Sequence, residues 1–254
     1  MNAVEIGDAP YDGVRPDALA SALGVPRVVA FESVGSTLDV AHELAAHGAP
    51  TGTLVLADEQ TAGRGRGGKR WTSERGAGIW LTLIARDVEP AVIELLAVRL
   101  GLAAAAVLEP LAGAPVHLKW PNDLLVAGRK LAGILVEARW RDGVPEWVAI
   151  GMGVNVVASP AVPNAAGLVA GTSRVAVLAA LMPALRGALA KRGALDSRER
   201  EVLSRRDVAR GRAVEAPGPG VVEGVSELGE LLVRNTAGSI DRYRSGSLVF
   251  MGDA

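Results

Sequence analysis

The segment "TAGRGRGGKRW", residues Thr61–Trp71, connects two apolar runs that are typical of β-strands. Thr53–Gln60 precede the segment and Gly78–Ala85 follow it. Glycine at this density cannot serve packing, because it has no side chain and costs backbone entropy wherever it is ordered. We therefore expect a loop that is anchored at both ends and that lets a ligand come close to its backbone.

The same loop carries four cationic side chains within a short span: Arg64, Arg66, Lys69 and Arg70. Guanidinium groups offer planar pairs of donors that suit phosphate or carboxylate, so the ligand is expected to be an anion. The loop alone does not decide whether this anion is a nucleic acid, a nucleotide or a small acid. We expect the four charges to repel one another until the anion binds, so that the loop is mobile without ligand and then closes over it.

Composition narrows these classes. The chain has 254 residues, 49% of them hydrophobic, which is enough for one large domain and a small one. A net charge of −1 gives no overall attraction to nucleic acid or to anionic lipid. Zero cysteines exclude disulfides, thiolate metal sites and a thiol nucleophile. The N-terminus lacks a signal-peptide pattern and the apolar run Leu100–Leu108 is too short to span a bilayer, so we expect a cytoplasmic protein with no membrane partner.

Hydrophobic patterns along the chain predict strands and helices in two domains, 1–206 and 207–254. The larger domain is expected to contain strands and helices in alternation, and the residues after Asp207 read as short strands between glycine and proline turns, typical of a small all-β module. Strands are expected at Val28–Phe31, Thr53–Gln60, Gly78–Ala85, Val116–Trp120, Leu124–Val126, Lys130–Trp140 and Glu146–Val157, and helices after Ser36 and at Pro90–Leu111, Arg174–Lys191 and Ser197–Arg206.

Five motifs carry a resemblance to a known family. "GSTLD", "EQTAGRGRGGKRW", "LKWPNDLLV", "RKLAGILVE" and "GMGVNV" occur here in the order and spacing seen in biotin protein ligases, and the resemblance is strongest from Phe31 to Val157. It implies an α+β catalytic domain with a mixed sheet, related to class II aminoacyl-tRNA synthetases, followed by an SH3-like β-barrel. It also implies a reaction in two steps. Biotin and Mg²⁺-ATP give biotinyl-5′-adenylate and pyrophosphate, and a lysine of a biotin carboxyl carrier domain then takes the biotinyl group.

The resemblance also implies roles for individual residues. Lys130 and Arg66 match the catalytic cations, and positive charge is what attack of a carboxylate on a phosphate requires. Asp123 matches a magnesium ligand, in keeping with the oxygen ligands that this ion prefers. The implied biotin-binding residues are Ser36, Thr37, Leu38, Gln60, Arg64, Gly65, Arg66 and Lys130. The implied ATP-binding residues are Arg66, Trp71, Asn122, Asp123, Lys130 and Asn155.

Two positions depart from the family's pattern. Leu38 replaces an asparagine, so the hydrogen bonds of that side chain are lost or moved, and Gly67 stands where an arginine is often found, from which we expect a looser loop. Ser36 also has a simpler interpretation as the N-cap of the following helix, with Asp39 in the capping-box position.

Other functions have weaker support in the sequence. Lipoate or octanoate ligases and transferases share the fold but do not usually carry both "GRGRGGKRW" and "KWPNDLLV". The "RGRGG" segment resembles RNA-binding repeats, but these are long and disordered, whereas this one is single and lies between predicted strands. About thirty residues precede the first core strand, too few for a winged helix. We therefore expect no nucleic-acid partner for this chain, and a homodimer stays open.

Overall fold

The computed structural model describes residues 7–252, and its largest element is a seven-stranded mixed sheet. Its first two strands are parallel, and every other neighbouring pair is antiparallel. The order across the sheet is β1-β2-β3-β7-β6-β5-β4. The strands are β1 (Val28–Val34), β2 (Leu54–Gln60), β3 (Gly78–Ala85), β4 (Val116–Lys119), β5 (Asp123–Val126), β6 (Arg129–Arg141) and β7 (Val144–Asn155).

The long hairpin of β6 and β7 and the strand β3 form the centre of this sheet. Every residue of β3 is buried, which is why its sequence is a continuous apolar run instead of an alternating one. Asp142 and Gly143 both have positive φ at the tip of the hairpin, the conformation that a two-residue turn between antiparallel strands requires.

Helices cover both faces of the sheet, and each face buries its own apolar cluster. The helix α2 lies against β2, β3 and β7, while α3 and α4 pack together over the opposite face. The helices are α1 (Pro16–Leu23), α2 (Thr37–Ala46), α3 (Leu96–Ala112), α4 (Arg174–Ala190) and α5 (Ser197–Arg206). Within residues 7–252 no helix is both long enough and apolar enough to cross a bilayer.

A second, five-stranded antiparallel sheet follows α5. Its order is β11-β10-β9-β8-β12, with β8 (Ala213–Ala216), β9 (Gly220–Val225), β10 (Leu231–Arg234), β11 (Ile240–Tyr243) and β12 (Val249–Phe250). Its buried Val214, Val222 and Leu231 belong to the same apolar cluster as Trp120 of the first sheet's face. The indole of Trp120 donates to the Gly229 carbonyl at 2.9 Å. The expected mixed sheet is thus confirmed, as are the short strands after Asp207, and the two sheets pack on each other directly.

Two local predictions were wrong. Pro90 begins a separate 3₁₀ turn, Pro90–Val92, and the α-helix starts only at Leu96. The Ser36 side chain makes no capping hydrogen bond with α2, and Asp39 forms an ion pair with Arg64 instead of completing a capping box. In the first case the turn that Pro90 begins ends before the α-helix starts. In the second case a tertiary ion pair takes Asp39 away from the helix end.

A buried cation ties the N-terminal segment to the rest of the chain. Arg174, at the start of α4, donates to both carboxylate oxygens of Asp12 and to Asp58 at 2.5 Å, and lies over the Tyr11 ring at 4.5 Å. Burial opposes its charge, but the hydrogen bonds to Asp12 and Asp58 outweigh that penalty and raise the pKa of Arg174 above its ordinary value. The guanidinium therefore stays charged and joins α4 to β2 and to the segment before β1.

Arg174→Met should lower the free energy of unfolding by about 2 kcal/mol, because it leaves two carboxylates without their partner. This is below the usual cost for a fully buried pair, since both carboxylates are partly open to water. Urea denaturation measures the change. Arg186→Met on the same helix is the matched control, because Arg186 is exposed and makes one hydrogen bond, to the Gly24 carbonyl. Equal stability of the two variants would contradict the prediction.

Candidate active site

Most of the sequence-predicted site residues line one cavity of about 470 Å³. It lies over β6 and β7, and the glycine-arginine loop covers one side of it. The predicted residues on its wall are Leu38, Gln60, Arg64, Gly65, Arg66, Trp71, Asn122, Asp123 and Lys130. A sheet, a helix start, a turn and a loop that are distant in sequence thus meet around one space.

Glycines form the floor of this cavity. Gly133 of β6 and Gly153 of β7 are paired across the two strands, and the Trp71 ring lies against both. A Cβ atom on Gly153 would approach that ring to 2.5 Å, which real structures do not tolerate. The Leu38 side chain lies in the same way on Gly151. Side chains from other elements can therefore reach the sheet only because these strand positions lack a Cβ atom.

The glycine-arginine loop is a compact turn. Gly65 donates to the Lys69 carbonyl at 2.7 Å, and residues Arg66–Gly68 form a single 3₁₀ turn. Gly67 has a φ of +66°, which favours glycine at a position where the family often has arginine. The loop is therefore built around its glycines as well as its charges.

Three of the four loop cations have partners in the structure. Arg64 forms ion pairs with Asp39 at 3.0 Å and with Glu137 at 2.8 Å. Arg66 donates to the carbonyl of Gly246 and Arg70 to the carbonyl of Thr61. Other elements therefore already hold Arg64 and Arg66, and the start of the segment itself holds Arg70, which separates their charges.

Among the loop cations, Arg66 has a pKa that burial lowers, and the nearby Asp123 carboxylate partly offsets this effect. Its hydrogen-bond acceptor, the Gly246 carbonyl, is neutral and belongs to the second sheet's β11–β12 connection. An anion in the cavity would therefore give Arg66 a negatively charged hydrogen-bond partner in place of a neutral one.

Lys130 lies at the centre of the site. Its ammonium is 2.7 Å from the Asp123 carboxylate and 4.9 Å from the centre of the Trp71 ring. The neighbouring Asn122 donates to the Ile134 carbonyl at 2.7 Å, which fixes the turn that carries Asp123. The partly exposed cation is thus held between the Asp123 carboxylate and the Trp71 ring.

Ser36 and Thr37 lie behind the cavity wall instead of on it. Both Thr37 Oγ1 and the Thr37 backbone N–H donate to Gln60 Oε1, at 3.0 and 2.8 Å, and Gln60 Nε2 donates to Ser73 at 2.8 Å. Ser36 is 1% exposed, and its hydroxyl has no hydrogen-bond partner in the described part of the chain. A buried polar atom without a partner is costly, which marks Ser36 as a group that a ligand would satisfy.

A second cavity of about 220 Å³ adjoins the first. Arg70, Trp71 and Lys130 line both cavities and form their common wall. Asn155 lies only in the smaller one, where its amide donates to the Lys130 carbonyl at 3.1 Å. The site therefore has two chambers, and the cations Lys130 and Arg70 line both of them.

Sequence reasoning missed two contributors to the larger cavity. Lys119 lines it, with its ammonium 5.2 Å from the centre of the Phe250 ring. Residues Ser245–Leu248, in the connection between β11 and β12, close another side. Lys119 could have been found from its place in "LKWPND", but no local pattern signals that the connection near the C-terminus reaches the site.

Within residues 7–252 no group of three or more His, Asp or Glu side chains is arranged to hold a metal ion. Asp123 is the carboxylate that the larger cavity presents. A protein site with one carboxylate suits Mg²⁺ when phosphate oxygens and water supply its other ligands. The donor set therefore fits a magnesium ion that arrives with a nucleotide.

Residues 30–155 match the model of the Biotin/lipoate A/B protein ligase family, and this range contains nearly all of the sequence motifs and most of the cavity wall. The chain carries a domain of this family. The resemblance inferred from the motifs is thus confirmed.

Relatives of this biotin/lipoate ligase domain are similar over part of their length. The chain is 44% identical over 124 residues to the bifunctional ligase/repressor BirA of Bacillus spizizenii, a match that covers 48% of this chain and 38% of that protein. It is 35% identical over 153 residues to the biotin–[acetyl-CoA-carboxylase] ligase of Mycobacterium tuberculosis, covering 58% of this chain and 56% of that protein. The chain therefore spans less than two thirds of these curated relatives.

Similarity in structure extends further than similarity in sequence. The fold matches the biotin protein ligase of Aquifex aeolicus in complex with biotin and ATP, with a TM-score of 0.73 and 25% identity, over 88% of this chain and 98% of that one. Both sheets of the present structure therefore belong to one shared architecture.

Ser36→Ala should leave the stability of the ligand-free protein unchanged or raise it by up to about 1 kcal/mol, because the hydroxyl it removes is buried without a partner. Thr53→Val is the matched control. Its buried hydroxyl donates to the Pro50 carbonyl at 2.9 Å, and its loss should cost about 1 kcal/mol. Chemical denaturation of both variants measures the difference, and a clear loss of stability in Ser36→Ala would contradict this account of the site.

Proposed function

We propose that this chain is a biotin protein ligase, which activates biotin with Mg²⁺-ATP and transfers it to a lysine of a biotin carboxyl carrier domain. The observation that carries the proposal is the pair of adjoining cavities that share the Lys130 ammonium. Two substrates can lie on either side of one cation there. The structurally similar Aquifex aeolicus ligase, which forms a complex with biotin and ATP, supports the same assignment.

The chemistry explains why one shared cation is useful. A carboxylate is a poor acyl donor because oxide would have to leave, so a carboxylate oxygen of biotin first attacks the α-phosphorus of ATP and pyrophosphate leaves. The carrier lysine amine then attacks the acyl carbon, loses a proton, and AMP leaves. Both reactants of the first step are anions, and Lys130 at their junction stabilises the charge that builds up between them.

The larger cavity is proposed to hold biotin. The ureido ring of biotin would bind Gln60, which lies on the cavity wall and is held from behind by Thr37, while Leu38 supplies an apolar contact. The free Ser36 hydroxyl behind the wall would join this polar group when the wall shifts on binding. Arg64, with the backbone of Gly65, would bind the carboxylate at the other end. The glycine floor leaves room for a bicyclic ring on the sheet.

The smaller cavity is proposed to hold the nucleoside of ATP, with Trp71 as its aromatic wall and Asn155 as its polar contact. The phosphates would then extend past Lys130 towards Arg66 and Asn122. Asp123 would hold the magnesium ion, which when bound supplies positive charge to the phosphate oxygens. Arg66 would stabilise the α-phosphate, and its weak neutral acceptor in the free protein makes that exchange favourable.

The finer features of the proposal concern architecture and partners. We propose a catalytic domain, 1–206, related to class II aminoacyl-tRNA synthetases, and an SH3-like domain, 207–254, formed by the five short antiparallel strands. The acceptor is the carrier domain of a biotin-dependent carboxylase, as the name of the Mycobacterium tuberculosis relative suggests for that protein. The absence of cysteine suits the reducing cytoplasm, and a homodimer is compatible with the proposal.

Lys130→Met should slow formation of biotinyl-adenylate at least about 100-fold, since removal of a transition-state donor usually costs about 3 kcal/mol. Biotin affinity should change much less. Single-turnover assays with labelled ATP, biotin, Mg²⁺ and a carrier domain measure both steps. Lys191→Met is the control, because Lys191 pairs with Asp196 on the surface. Near-normal adenylation by Lys130→Met would refute its role, and preferential transfer of lipoate or octanoate by the wild type would refute the proposed substrate.

Ligands should protect the loop Gly63–Arg70 from trypsin, because the anion adds contacts that hold its cations in place. The loop offers tryptic bonds after Arg64, Arg66, Lys69 and Arg70. Digestion should therefore cut the free protein there and spare it when biotin and ATP are present.

Arg66→Gly tests the same closure independently. The variant should release biotinyl-adenylate, which then labels unrelated lysines, because the guanidinium proposed to hold the α-phosphate is gone. Mass spectrometry of the digests and of bystander proteins measures both effects. If cleavage is equally fast with and without ligands, and Arg66→Gly labels no bystanders, the loop is a static wall.

A further inference from the structure

We propose that His42 and Glu137 form a positioning pair that keeps Arg64 available to the substrate carboxylate and so sets the affinity for biotin. This inference rests on the proposed function. Neither residue is among those that the resemblance implied for ligand binding. His42 lies inside α2, and Glu137 is the last residue of the motif "RKLAGILVE", in the second half of β6.

The contacts form a continuous chain. The Trp147 indole N–H donates to His42 Nδ1 at 2.9 Å, and His42 Nε2 lies 3.0 Å from Glu137 Oε2. The same Glu137 oxygen accepts from Arg64 at 2.8 Å. Three elements, β7, α2 and β6, thus lead by hydrogen bonds to one guanidinium of the loop.

The indole decides which histidine tautomer is present. An indole N–H can only donate, so the Nδ1 atom that receives it must carry a lone pair. The proton of neutral His42 is then on Nε2, where it is donated to Glu137. Trp147 therefore acts through the ring to make His42 a donor towards the carboxylate.

His42 and Arg64 share one oxygen of Glu137, which limits how tightly this carboxylate binds Arg64. His42 and Arg64 both bind Oε2, so the carboxylate divides its charge between two donors and holds the guanidinium by one contact. The hydrogen bond from His42 also keeps the pKa of Glu137 below its ordinary value, although burial opposes this and Arg64 assists it. Without His42 the carboxylate can turn and bind Arg64 with both oxygens, the preferred geometry of this ion pair.

One hydrogen-bond donor of Arg64, its Nε–H group, is free to bind a ligand. Its Nε atom is buried without a hydrogen-bond partner in the described part of the chain, and the side chain lines the larger cavity. Asp39 and Glu137 are already bound through NH2. A tighter, two-oxygen pair with Glu137 would engage the guanidinium further and weaken its hold on an incoming carboxylate.

The test is a comparison of His42→Leu and His42→Gln. His42→Leu should raise the KM and Kd for biotin about fivefold, the loss expected for one hydrogen bond of ordinary strength, with kcat and the KM for ATP within about twofold of the wild type. His42→Gln keeps an N–H that can reach Glu137 and should restore the biotin affinity. Trp147→Phe, which frees the ring to take the other tautomer, should weaken biotin binding in the same direction.

Two controls separate positioning from folding. His47→Leu removes the exposed histidine that ends α2 and bonds to the Glu43 carbonyl, and it should leave biotin affinity unchanged. In an Arg64→Met background, His42→Leu should have no further effect on the Kd for biotin, because its action passes through Arg64. ¹⁵N–¹H NMR of the wild type should show the His42 proton on Nε2.

The outcomes distinguish this inference from the proposed function. If the wild type neither binds biotin nor forms adenylate, the proposed function fails. If the wild type is active but His42→Leu binds biotin as tightly, or if the effect of His42→Leu persists in full beside Arg64→Met, the positioning role is overturned.

Discussion

The pairing of β6 with β7, and the glycines placed in it, is the constraint on which the site depends. Gly133 and Gly153 face each other across the two strands, and the Trp71 ring lies directly on them. With the ring in that position, it becomes the wall between two cavities and a neighbour of Lys130. A methyl group at either glycine would push the ring away and merge or close the cavities. Strand glycines usually weaken a sheet, and here the long hairpin and full burial of β3 offset that loss.

Charge in the site is divided between cations that have carboxylate partners and cations that do not. Arg64 and Lys130 are held by carboxylates, so their positions are fixed before a ligand arrives. Arg66 has a carbonyl acceptor and Lys119 an aromatic ring, contacts that do not neutralise a charge. An arriving polyanion therefore gains most from the second group. This division allows the site to be ordered without ligand and still be strongly attractive to phosphate.

The second sheet contributes to the site through two contacts on opposite sides of the cavity. Trp120 binds the Gly229 carbonyl and comes two residues before Asn122, while Arg66 of the loop binds the Gly246 carbonyl. The apolar cluster is continuous between the two sheets. The small sheet thus fixes both the turn that carries Asp123 and the resting position of the loop, which is why it belongs in structure to the candidate site even though its sequence pattern marks it as separate.

The strands around the glycine-arginine loop and the short strands after Asp207 follow from local periodicity in the sequence. The mixed sheet and most of the residues on the cavity wall follow from the long motifs and the resemblance that they carry. Three features were decided only by the tertiary structure. Local patterns gave Ser36 a capping role, but the packing of α2 on the sheet leaves its hydroxyl buried and free. The loop cations read as a repelling group, but Asp39 and Glu137 from other elements neutralise Arg64. The part played by His42 and by Ser245–Leu248 depends on contacts between residues far apart in the chain, and no local pattern encodes such contacts.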